Sequence, residues 1–140
     1  MFLLGCALIL LTPVVHTAGV TPLIEWLRRV VRRQYAGPFD VGLLVLRNAI
    51  ALLVLHELTI LPWAAFYRWL CFPSWTSAFY FSGSTYSTVG YGDVVLPLQW
   101  RLLPPMDSIV GVLTCGLSVS ILFALTFTYD NVACTALSRN

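Results

Sequence analysis

Three stretches of the chain are apolar for long enough to cross a bilayer, and short polar or proline-marked segments separate them. The first runs from Phe2 to Val15, is interrupted by Pro13 and His16, and continues more weakly through Val20, Leu23, Ile24 and Trp26. The second runs from Val41 to Phe72 and the third from Leu102 to Tyr129. A span needs about 20 consecutive, mostly apolar residues, so each of the three predicts a membrane helix. Between the last two lies Trp75 to Ser87, about 13 residues or ~20 Å of helix, which is too short to cross. Ser74 before it is a candidate N-cap.

Charge placement refines this pattern. The first run could be the core of a signal peptide, but no Arg or Lys precedes it and the basic cluster follows it, which favours a membrane helix. Arg28, Arg29, Arg32 and Arg33 would share one helix face opposite Leu27, Val30 and Val31. A voltage sensor would instead repeat Arg every third residue inside a span. The cluster therefore predicts a cytoplasmic anchor in contact with membrane lipid. Gln34 to Phe39 predicts a turn, with Asp40 as N-cap of the second span. In that span Arg47 and Arg68 stand 21 residues apart, roughly 31 Å along a helix and close to the hydrocarbon thickness. Trp63, Tyr67 and Trp69 near its far end predict an aromatic belt, and Pro62 a kink. Pro104 and Pro105 suit the first turn of the last helix. Gly111 and Gly116 inside it allow either close packing or a bend that opens a pore.

Composition agrees with a bilayer: of 140 residues 59% are hydrophobic and 10% charged. The net charge of +2 gives no reason to expect nucleic acid as a partner. Cys6, Cys71, Cys115 and Cys134 lie singly, outside metal or disulfide spacing. No nucleophile and base pair, metal-ligand cluster or phosphate loop stands out, so an enzyme is not expected. His56 and Glu57 fall near the middle of the second span. Two readings stand for them: a structural hydrogen bond from a neutral Glu57, or a pair whose protonation couples pH to function.

The most informative stretch is Thr85-Tyr86-Ser87-Thr88-Val89-Gly90-Tyr91-Gly92-Asp93, which follows the short helix. Two glycines one residue apart admit backbone conformations that L-residues rarely share, so successive carbonyls can line one side of the chain. From Thr88 to Gly92 the residues are T-V-G-Y-G, and on these the sequence resembles the pore domain of potassium channels. The resemblance covers about half of the chain, from the second span to the last.

The resemblance implies an all-α integral membrane fold with an outer helix, a re-entrant pore helix and filter, and an inner helix. An extra N-terminal transmembrane helix precedes them, as in small bacterial channel-like proteins with three spans. It divides the chain into 1–38 (first helix and basic loop), 39–132 (pore domain) and 133–140 (tail). It implies that the carbonyls of Thr88, Val89, Gly90 and Tyr91, with the Thr88 hydroxyl, hold K+, that Gly92 completes the filter, and that Thr85, Ser87, Asp93 and Ser84 support it. In several members a Glu nine residues before the acidic residue helps tie the filter to its helix; here that position is Ser84. Phe79, Tyr80, Phe81 and Tyr86 would brace the filter.

The expected function is a homotetrameric potassium-selective channel in the cell membrane, with K+ as permeant ion and no cofactor. The bacterial inner membrane is the expected site. With the arginine loop inside, the N-terminus lies outside and the C-terminus in the cytoplasm. Gly111, Gly116, His56 and Glu57 are the candidates for gating. A non-conducting regulatory subunit is the alternative. A repeat of a cation-uptake system fits less well, because such repeats resemble fused chains with a single filter glycine each.

Overall fold

A computed structural model describes residues 2–31 and 38–137, with side chains described for 5–26, 29 and 42–128. It contains four α-helices: α1 (Phe2–Val31), α2 (Pro38–Leu70), α3 (Trp75–Tyr86) and α4 (Leu103–Leu137). A short 3-10 turn, Leu98–Trp100, precedes α4. Among the described residues three helices are long and apolar enough to cross a membrane, over Gly5–Trp26, Gly42–Leu70 and Leu98–Thr128. With 12 residues, α3 is not.

Several boundaries differ from the sequence reading. Pro38 and Phe39 already belong to α2, so Asp40 lies inside its first turn and does not cap it. Proline suits a first helical position because the amide it lacks would have no partner there. The rest of the expected turn, with Arg32 and Arg33, falls outside the described residues. At the other end α4 continues to Leu137, past Tyr129, so the tail expected over 133–140 is helical up to that point.

α1 packs against both α2 and α4, and α3 sits between α2 and α4. Small residues set the close approaches: a Cβ on Gly19 would meet the Leu55 side chain, with Cγ at 3.3 Å. The larger core cluster joins Trp63, Phe66 and Tyr67 of α2 to Ala78 and Phe81 of α3 and to Leu96, Trp100 and Leu103. Trp63 and Tyr67 are fully buried, which corrects the belt reading for them. Only Trp69 of that trio is exposed. The reason is register: Trp63 turns inward to donate its Nε1–H to Thr12 Oγ1 on α1 at 2.8 Å, as a buried indole N–H requires. Tyr67 meets Phe81 edge to face, with ring centroids 5.0 Å apart.

The arginines at the two ends of α2 differ in their partners. The Arg47 guanidinium lies 4.8 Å from the centre of the Trp26 ring, joining the end of α1 to the start of α2. Arg68 donates from Nη1 to the Phe72 carbonyl at 3.3 Å. Glu25 and Arg29 form an exposed ion pair one helical turn apart, of little energetic weight.

Candidate functional site

Ser74 caps α3 as its sequence position suggests: its Oγ accepts the Ser77 amide at 3.1 Å. At the other end Ser87 is the C-cap, and both its amide and its hydroxyl give to the Gly83 carbonyl. The chain then folds back on the helix end. The Thr88 amide donates to the Thr85 carbonyl at 2.9 Å and the Gly90 amide to the Ser84 carbonyl at 3.0 Å. From α4, Ser108 Oγ donates to the same Thr85 carbonyl at 2.8 Å. Residues 88–92 thus hang from the last turn of α3, held by main-chain bonds and by one serine of α4.

Backbone angles in this segment alternate in sign. Thr88, Gly90 and Gly92 have φ of 64°, 48° and 78°, and Val89 and Tyr91 do not share that sign. An alternation of this kind turns successive peptide planes toward the same side. Glycine adopts a left-handed φ without penalty, but for a β-branched residue such as Thr88 it is a strained conformation. Val89 and Tyr91 are 53% and 70% exposed, so this irregular stretch lies on the outside of the single chain.

Asp93 is tied to α3, but by a residue that the family pattern did not single out. The Tyr80 hydroxyl donates to Asp93 Oδ2 at 2.7 Å. Ser84, in the position where several potassium channels carry Glu, donates instead to the Phe81 carbonyl within its own helix. The link skips one turn of helix because a tyrosine reaches farther than a serine. The Tyr80 and Tyr91 rings stack nearly parallel, 7° apart in plane and 6.2 Å between centroids. The bond to Asp93, first, and burial, second, raise the Tyr80 hydroxyl above its ordinary pKa. Behind the segment lies a cavity of about 530 Å³ bordered by Phe81, Thr85, Gly90, Arg101 and Ser108.

Of the two residues expected to act near mid-span, His56 faces inward and Glu57 does not. His56 meets Tyr86 of α3 and Ser118 of α4. Glu57 is exposed on the single chain and makes no hydrogen bond or ion pair among the described residues. Adjacent helix positions stand about 100° apart, and at this register that step carries Glu57 out of the interface that His56 enters. Gly111 is a packing position: a Cβ there would fall on the Tyr86 carbonyl group, 2.9 Å from its carbon. Gly116 has open space around its Cβ position.

Asp107 is the residue that sequence reasoning missed. It is fully buried on α4, and neither carboxyl oxygen has a hydrogen-bond partner. The signal was present, as it is the only acidic residue between Leu102 and Tyr129. Asp107→Leu is expected to raise the melting temperature of the solubilised chain, because each unsatisfied buried polar group costs about 1–3 kcal/mol. A lower melting temperature would show that the carboxyl has a stabilising partner.

Three apolar helices of spanning length define the class first: the chain is a multi-pass, all-helical membrane protein. Residues 55–128 match the family described as ion channel, more than half of the chain, and the chain belongs to that family. No curated protein and no solved structure matches it.

Proposed function

We propose that the chain is one subunit of a homotetrameric potassium-selective channel whose filter is Thr88 to Gly92. The observation that carries this reading is T-V-G-Y-G with left-handed φ at Thr88, Gly90 and Gly92, following a half-span helix in a chain of the ion channel family. Carbonyl oxygens of Thr88, Val89, Gly90 and Tyr91, with the Thr88 hydroxyl, replace the water shell of K+. α3 acts as the re-entrant pore helix, its C-terminal end turning the negative pole of its dipole toward the ion. One chain supplies one segment, and closed rings of carbonyls take four. Burial supports assembly: irregular backbone is not tolerated against lipid, so the exposed segment must face partner copies or a water-filled lumen.

Purified chain in liposomes tests the proposal. Potassium flux with strong preference over sodium in a bi-ionic measurement is expected, and equal permeability would refute it. Orientation follows from the arginine loop: position 34 lies inside, the N-terminus outside, α3 enters from outside and α4 returns to the cytoplasm. A single cysteine at position 2 is expected to react with a membrane-impermeant thiol reagent in intact cells, in a background without the native cysteines. Labelling at position 34 would reverse the topology.

A further inference from the structure

All four helices meet at one buried chain of polar groups. His56 of α2 places Nδ1 2.8 Å from the Tyr86 hydroxyl of α3 and Nε2 3.0 Å from Ser118 Oγ of α4. Ser118 Oγ lies 3.2 Å from Nε2 of His16 on α1. The Tyr86 hydroxyl also bonds Thr114 Oγ1, which is 2.9 Å from the Val110 carbonyl. The two imidazoles are 4.9 Å apart between ring centres.

Hydrogen counting gives this chain one direction. Among the described residues Ser118 bonds only the two histidines, so its hydrogen goes to one of them. If it went to His16 Nε2, His16 would carry its own hydrogen on Nδ1, which is buried without a partner. An orphaned buried N–H is the costlier and rarer defect; a bare nitrogen lone pair is the milder one. His16 therefore donates from Nε2 to Ser118, and Ser118 donates to His56 Nε2. His56 then donates from Nδ1 to Tyr86, Tyr86 to Thr114, and Thr114 to the Val110 carbonyl. Burial pushes the Tyr86 hydroxyl up to about 12, so it stays a donor at neutral pH.

We propose that His56 is a positioning residue for the filter: through Tyr86 it holds the end of α3 from which residues 88–92 hang, and through Ser118 and His16 it ties that end to α1. This rests on reading residues 88–92 as the filter. Tyr86 is two residues before Thr88 and its carbonyl lies against Gly111, so a displaced ring moves the anchor of the segment. A second proton on His56 keeps the Nδ1–H bond to Tyr86 but leaves the Ser118 hydrogen without its acceptor, so what is lost is the tie from the end of α3 through Ser118 to α4 and α1. The groups facing His56 are His16 from α1, Tyr86 from α3 and the hydroxyl of Ser118 from α4, with the Thr114 hydroxyl one bond farther on. Glu57 adjoins it on α2, and Cys115 and Asp107 act on the Tyr86 end. Conduction accordingly falls as the imidazoles take up protons.

The test is potassium flux of the reconstituted full chain against pH, with nitrogen NMR of the imidazoles in the same preparation. Flux is expected to drop about tenfold from about pH 8 to pH 5, the range in which histidine titrates, and His56→Gln to hold it within about twofold. At the alkaline end His56 is expected to carry its hydrogen on Nδ1 and His16 on Nε2. Hydrogen on Nε2 of His56, or a His56→Gln profile that follows the parent's, overturns the proposal. Ser118→Ala gives a second reading should His56→Gln not assemble: an unchanged flux midpoint overturns it, and a shifted one supports it. A conducting parent with a flat pH profile overturns this proposal alone. A parent that carries no potassium at any pH overturns the channel reading, and this proposal with it.

Discussion

Gly90→Ala is expected to abolish selective potassium flux while leaving the helices folded. Space is not the obstacle, because a Cβ at Gly90 would meet nothing within 4 Å in the single chain. The obstacle is the φ of 48°, a left-handed conformation that costs an L-residue about 1–2 kcal/mol. Four chains share each carbonyl ring in the proposed tetramer, so the ring as a whole loses about 4–8 kcal/mol, enough to depopulate it by several orders of magnitude. Thr88 already carries one such residue per chain, so the segment has little strain left to absorb. Potassium and sodium fluxes of the variant decide the matter, with unchanged helicity by circular dichroism as the folding check. Gly42→Ala, on α2 with open space at its Cβ, is the control and is expected to conduct as the parent does. Selective flux through Gly90→Ala would remove the filter assignment.

The second large effect is expected at Gly111. Gly111→Val places a branched side chain against the main chain of Tyr86, 2.9 Å from its carbonyl carbon and 3.2 Å from its ring. A backbone group cannot rotate away as a side-chain tip can. α4 must therefore separate from α3, lengthening the Ser108 bond to Thr85 and the Tyr86 bond to Thr114. Overpacking of this kind costs about 1–3 kcal/mol per chain before the lost hydrogen bonds are counted. The expected result is a lower melting temperature and loss of the proposed tetramer on a sizing column. Gly116→Ala separates packing from bending: its Cβ has room, and alanine adds about 1 kcal/mol of helix preference. If Gly116→Ala conducts normally and Gly111→Val does not assemble, α4 uses glycine for contact; a stable Gly111→Val would reject that account.

Residues 88–92 were legible because their chemistry is local. The T-V-G-Y-G order needs no partner to be recognised, and the positive φ at Gly90 and Gly92 is what its glycine spacing permits, whereas the positive φ at Thr88 is not. The Ser74 cap and the proline start of α4 were readable for the same reason, since each satisfies or spares a main-chain group within one turn. Asp40 was misjudged because Pro38 two residues earlier serves equally well as a helix start.

The number and length of the spans and the order of the central segment can be read along the chain, because both follow from hydropathy and from bonds between near neighbours. Only the tertiary structure decided which face of each span turns inward. Trp63 and Tyr67 became core and Trp69 stayed outside; His56 joined a hydrogen-bonded chain while Glu57 turned away. An all-round apolar helix carries no amphipathic signal to orient it, so its facing is settled by polar groups on other helices that need partners. Thr12, His16, Thr114 and Ser118 are those groups; they bond Trp63, His56, Tyr86 or one another over sequence distances that reach 102 residues, from Ser118 to His16, across which no periodicity in the chain speaks.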